Sequence, residues 1–262
     1  MKQKLLFGVL CTLLSFQVLK AQDLNVPAEL KEEASEKYVL FSDDVRSKNY
    51  TGALPNLSWM LEKTPKIHKS LYQKGIRTYK ELADAEKDAK RKRVYQDSVM
   101  LLHDLRIKHF GEEDKVMNDK AYISYYYYYE DTDMYDDMYE MYKKAFELNG
   151  ENIYPQNVEF FFTVMSFMKG EAYFEKYQDE LSDDNLTVLY EKMSKIIEKN
   201  IAKNGEDVDE WKRIQQPVAQ YYGAMVPITC SYIKKYIEPE YRDEAIFKDG
   251  DVLAIWPPVA GG

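Results

Sequence analysis

Glycine and proline are scarce in this chain, at 11 and 9 of 262 residues. That excludes an all-β fold built on many tight turns and favours helices. Cysteine occurs only as Cys11 and Cys230. Histidine occurs only as His68, His103 and His109, with no HExxH or other metal-ligand spacing. Basic residues are outnumbered, 36 to 45, for a net charge of −9. A nucleic-acid binder needs basic clusters, and an anionic membrane surface repels such a chain, so neither partner is expected. GxSxG, P-loop and GxGxxG motifs are absent, and no pair of acids is marked as catalytic by its spacing. No cofactor and no metal is expected.

What is abundant is tyrosine, at 23 residues. Five of them run consecutively from Tyr125 to Tyr129. The other distinctive stretch is the N-terminus. Lys2 and Lys4 precede an apolar run, and Ala21 offers a small residue for cleavage before Gln22. This predicts a signal peptide over 1–21, too short in its apolar part to span a bilayer. The chain is then exported to the periplasm or envelope, with no membrane insertion after cleavage. A lipid anchor on Cys11 is the alternative, although Leu10 before it is larger than lipidation sites favour. Cleavage leaves Cys230 alone, beside Val226, Pro227 and Ile228, as a buried thiol without a disulfide.

Beyond the leader, helical periodicity recurs. A first helix is predicted from about Leu30 to Lys48, with Ala34, Tyr38, Phe41 and Val45 on one face. Its partner runs from Tyr50 to Lys63, entered through Asn49 and stopped by Pro65. Helix three begins near His68, and the charged stretch Asp84 to Arg93 reads as its solvated extension or as a loop. Helix four covers Tyr95 to His109, helix five about Lys115 to Tyr129, and helix six Met134 to Leu148. Helix seven opens at Pro155, and its pattern resumes after Gly170 with Ala172, Tyr173, Phe174 and Tyr177. Helix eight follows the start signal at Ser182. Helix nine spans Glu206 to Tyr222, kinked or broken at Pro217. Helix ten spans Thr229 to Ile237. Taken two by two, these form hairpins. Residues 22–245 then make one helical repeat domain, and 246–262 an irregular tail or a truncated continuation.

The repeat has a recognisable form between Asn49 and Gly75. Tyr50, Ala53, Leu57, Pro65, Leu71 and Gly75 resemble the tetratricopeptide repeat, patterned W-x2-L-G-x2-Y, A-x3-F and P. Ala53-x3-Leu57 matches the second helix, Pro65 the closing proline, and Gly75 the next repeat's glycine. Asp44 and Thr78 stand where tyrosine is expected, and Lys74 where leucine is. The close match covers roughly forty residues. Ser98 to Glu113, taken with the signal peptide, is similar to repeat proteins exported by Bacteroidetes. The resemblance implies an all-α solenoid of stacked antiparallel helix pairs, generally non-enzymatic.

Five consecutive helical residues pass right round the axis, so two or three of the tyrosines must face solvent or another helix. They are either interhelical packing or an aromatic lining for a partner, and Tyr125, Tyr126, Tyr128 and Tyr129 are the candidate binding residues. Glu130 to Asp137 is an acidic turn; it lacks the glycine a calcium loop of EF-hand type requires. Asp88 to Arg93 is a basic island, either a solvated face or an electrostatic contact for an acidic partner. The function expected is a protein–protein interaction scaffold with a protein or peptide partner. The alternatives are an extracytoplasmic glycan- or peptide-binding protein with an aromatic groove and, behind it, a carboxylate enzyme on a helical toroid.

Overall fold

A computed structural model describes residues 25–170, 175–229, 232, 233 and 235. The expected signal peptide, Cys11, Ala172 to Phe174, Cys230 and the tail 246–262 lie outside these residues, as do five of the nine residues of helix ten. Among the described residues the chain is all-α, with no strand. Nine α-helices follow in order: α1 Lys31–Arg46, α2 Tyr50–Lys63, α3 Ser70–Ala85, α4 Ala89–Phe110, α5 Glu113–Tyr128, α6 Tyr135–Asn149, α7 Pro155–Gly170, α8 Asp183–Lys203 and α9 Val208–Met225. The described residues up to Leu82 form one compact unit and those from Ala83 a second. The boundary falls inside α3, and so within the predicted second hairpin.

In the first unit α1 and α2 pack as the first hairpin. Their faces carry Ala34, Phe41 and Val45 against Ala53, Leu57 and Met60, all buried. The turn between them has a specific construction. Lys48 takes φ +60°. Its N–H reaches the Val45 carbonyl, and the Asn49 N–H reaches that of Asp44. This is a Schellman closure with lysine at the left-handed position that glycine favours. Asn49 then caps α2, its side-chain oxygen accepting from the Gly52 N–H. Pro65 sits in the turn after α2, where its carbonyl accepts the Tyr72 hydroxyl at 2.9 Å. Leu71 and Gly75 are buried in α3, while Tyr50, at the start of α2, is half-buried. The residues that carry the repeat resemblance therefore cluster around the α1–α2–α3 core.

The charged stretch 84–93 is not an extension of α3. The helix ends at Ala85, and α4 begins four residues later. Asp88 supplies the cap for α4 by accepting from the Arg91 N–H at 2.9 Å. Glu86 accepts from the Lys87 and Asp88 N–H groups. Two carboxylates that take up backbone donors outweigh the helix propensity of alanine and lysine here.

In the second unit α7 is the central element. Ten of its residues are buried, among them Val158, Phe161, Phe162, Val164, Met165 and Met168. A helix apolar on all sides needs neighbours all round. It finds them in α5, α6 and α9. The main partner of α7 is therefore α9, not α8 as the hairpin reading expected. The face of α9 that carries Trp211, Ile214, Val218, Tyr222 and Met225 is buried. α9 is one continuous helix through Pro217. α8 packs on α9, with Tyr190 stacked on Tyr222 at 4.0 Å and 2°.

Candidate partner-binding face on α5, α7 and α9

A buried amide hub fixes α5 against the start of α7. Asn118 accepts from the Asn157 side chain at 2.6 Å and from the Tyr154 N–H at 3.1 Å. Its own amide donates to the Asn152 carbonyl at 3.2 Å. Side chains three and four apart then bring Tyr122, Tyr125, Tyr126 and Tyr129 along one side of α5, next to Phe160 of α7. Tyr125 stacks on Phe160 at 3.9 Å and 4°. It also stacks on Tyr129, at 5.2 Å. Tyr126 meets Phe160 edge-on at 5.8 Å and 90°, and its hydroxyl donates to that of Tyr122.

The consequence is a division of labour within the run. Tyr125 is stacked on both Phe160 and Tyr129 and is half-buried, so it is the base of the cluster. Tyr126 and Tyr129 remain 55% and 41% exposed. Phe167, two turns beyond Phe160 on α7, is also exposed and stacks on Tyr135. Tyr128 is elsewhere. It is buried, its hydroxyl donates to Asp97 at 2.9 Å, and the Arg93 guanidinium lies 4.3 Å over its ring. There it borders a hollow of about 390 Å³ lined by Met100, Met117, Met134 and Met141. Of the four candidate tyrosines, the structure therefore brings together Tyr125, Tyr126 and Tyr129, with Tyr128 on a different side.

α9 adds a polar border that sequence reasoning missed. Arg213 holds Glu159 of α7 with two N–H groups, at 3.3 and 2.5 Å, and also pairs with Glu210 at 2.8 Å. Glu210 accepts from Gln156 of α7 at 3.0 Å. The pairs bridge two helices far apart in sequence, and no local pattern announces them. Hydrogen bonding to Arg213 pulls the Glu210 carboxyl below its ordinary range. Burial, followed by the hydrogen bond to Tyr122, pushes the Tyr126 phenol up to about 12. Burial also raises Tyr125, and the bond to Glu130 raises Tyr129. These phenols stay protonated at neutral pH, so the face offers neutral rings with hydroxyl donors beside a fixed ion-pair chain.

The remaining charged candidates are engaged locally. Asp131 caps the turn after α5 through the Asp133 N–H and pairs with Arg93 at 2.8 Å. Asp136 pairs with Lys176. Among the described residues no cluster of three or more acids, histidines or cysteines could hold a metal ion. Within the basic island Arg91 pairs with Glu86, and Arg93 with Asp97 and Asp131. His103 is buried, its Nδ1 against the Val99 carbonyl at 2.8 Å. Comparison of the chain with protein-family models, with curated proteins and with solved structures gives no match.

Proposed function

We propose that this chain is a non-enzymatic interaction protein that holds a protein partner against the aromatic face of α5, α7 and α9. The observation that carries the proposal is the exposure of Tyr126 and Tyr129 beside the stacked pair of Tyr125 and Phe160. Rigid, amphipathic rings that lose little entropy on contact are what interfaces use as anchors. The order of packing supports a solenoid reading. α5 meets α7 and α7 meets α9, while α4 packs on α5, α6 on both α5 and α7, and α8 on α9. An inner layer of odd helices, backed by even ones, is how a helical repeat presents a trough. The N-terminal signal pattern supports a periplasmic or envelope location. Among the described residues no helix is long and apolar enough to cross a membrane.

Glycan binding is the second reading, favoured by the exposed Tyr126 ring. It needs free ring faces, and Tyr125 is already stacked on Phe160 and Tyr129. The test is the double variant Tyr126→Ala/Tyr129→Ala in the full chain, compared with wild type for co-purified proteins and for thermal melting. The proposal expects a specific protein lost from the variant while the melting temperature moves by less than about 3 °C. A lowered melting temperature with the same bound proteins would mean the rings only pack.

A further inference from the structure

The first unit has a groove of about 440 Å³ between α1 and α3, lined by Ser42, Val45 and Arg46 on one side and Ser70, Gln73, Lys74 and Arg77 on the other. We propose that this groove binds an acidic peptide segment, with Lys74, Arg77 and Arg46 taking its side-chain carboxylates. The lining holds three cations and no carboxylate. Lys74 donates to the Ser42 hydroxyl at 2.7 Å, and its ammonium lies 4.9 Å over the Tyr38 ring. Neither Lys74 nor Arg77 has an acidic partner among the described residues. Among the described residues Arg46 pairs only with Asp43, at 2.5 Å, and its side chain is 80% exposed. Such a pair exchanges readily for another carboxylate.

Helical spacing explains the arrangement. Ser70, Lys74 and Arg77 follow each other at steps of four and three along α3, and Val45 and Arg46 lie three and four residues beyond Ser42 on α1. Tyr38 and Ser70 share a hydroxyl hydrogen bond that ties the two helices at one end of the groove. The sign of the local field registers on His68 next to that tie. Burial, and then Lys69 and Lys74, hold its imidazole below the ordinary value. A chain carrying −9 in total repels an extended polyanion such as nucleic acid or an anionic bilayer. A short acidic segment meets only the local cations, and hydroxyl and amide donors beside them suit carboxylate oxygens. This groove is separate from the aromatic face and does not depend on it.

The test uses fluorescein-labelled hexaglutamate, hexaglutamine and a phosphoserine hexapeptide, with anisotropy read on the full chain. Hexaglutamate is expected to bind about tenfold or more tighter than hexaglutamine and to weaken several-fold between about 50 and about 300 mM salt. Lys74→Gln/Arg77→Gln should lose about tenfold or more of that affinity. Lys74→Glu/Arg77→Glu should prefer a hexalysine peptide. Both positions are at or near the surface, so circular dichroism melts are expected to match wild type. Equal binding of hexaglutamine, or full retention by Lys74→Gln/Arg77→Gln, would overturn the proposal. So would a phosphoserine peptide that binds more than about tenfold tighter than hexaglutamate, because the site would then belong to phosphate. Loss of the partner defined by Tyr126 and Tyr129 would leave these outcomes unchanged.

Discussion

Replacing Phe160 with alanine tests whether the tyrosine run rests on a packed base. The side chain is 8% exposed. It is stacked on Tyr125 at 3.9 Å, with Tyr122 at 6.1 Å and Tyr126 at 5.8 Å. Truncating a core phenylalanine costs about 3–5 kcal/mol through lost transfer energy and the cavity left behind. Phe160 lies at the rim of the core, where water can reach part of the space, so the lower end, about 3 kcal/mol, is expected. About 1 kcal/mol of this is ring–ring attraction with Tyr125 beyond burial. For a unit of this size each kcal/mol moves the melting temperature by about 2–4 °C, giving a drop of about 6–12 °C. Scanning calorimetry on the full chain measures it. A double-mutant cycle of Phe160→Leu with Tyr125→Leu isolates the stacking, expected at about 1 kcal/mol. A loss under about 1 kcal/mol for Phe160→Ala, or a cycle with no coupling, would refute the stacked base.

Two further predictions follow from local geometry. Lys48→Gly should stabilise the first unit by about 0.5–1 kcal/mol in urea melts, because lysine bears the left-handed strain that glycine avoids. His103 should make the second unit acid-sensitive. Burial holds its imidazole below the ordinary 6.5 despite the Val99 carbonyl and Asp119, with Lys120 and Arg106 acting in the same direction as burial. The unfolded chain then binds the proton more readily. Stability is full above about 6.5 and falls as pH drops through that value toward the depressed folded one, by up to about 1.4 kcal/mol per pH unit. Melts at pH 7.5 and 5.5 should show this, and His103→Asn should flatten the difference.

Boundaries set by local chemistry were legible in the residues. α2 begins and ends where Asn49 and Pro65 place it, because a cap and a helix breaker act within one turn. Ser182 likewise marks the start of α8. The cap at Asp88 was hidden, since the alanines and lysines around it favour helix and only the hydrogen bonds reveal the break. The partnership of α7 with α9 was also unreadable. Phe160, Phe161, Phe162, Val164 and Met165 cover several sides of α7, so periodicity gives no direction in which to look for a neighbour. Helical geometry required that some of the five tyrosines face solvent or another helix. Which ones was decided by Phe160, by Asp97 and Arg93 around Tyr128, and by the Asn118–Asn157 hub, none of which belongs to the run.

The most direct measurement is site-specific photo-crosslinking in the cells that make the protein, with benzoylphenylalanine at position 126 and, as control, at the exposed Leu101 of α4. The account predicts one discrete protein adduct from position 126, lost when Tyr129→Ala is added, and none from position 101. The same adducts from both positions, or no adduct from position 126, would contradict it.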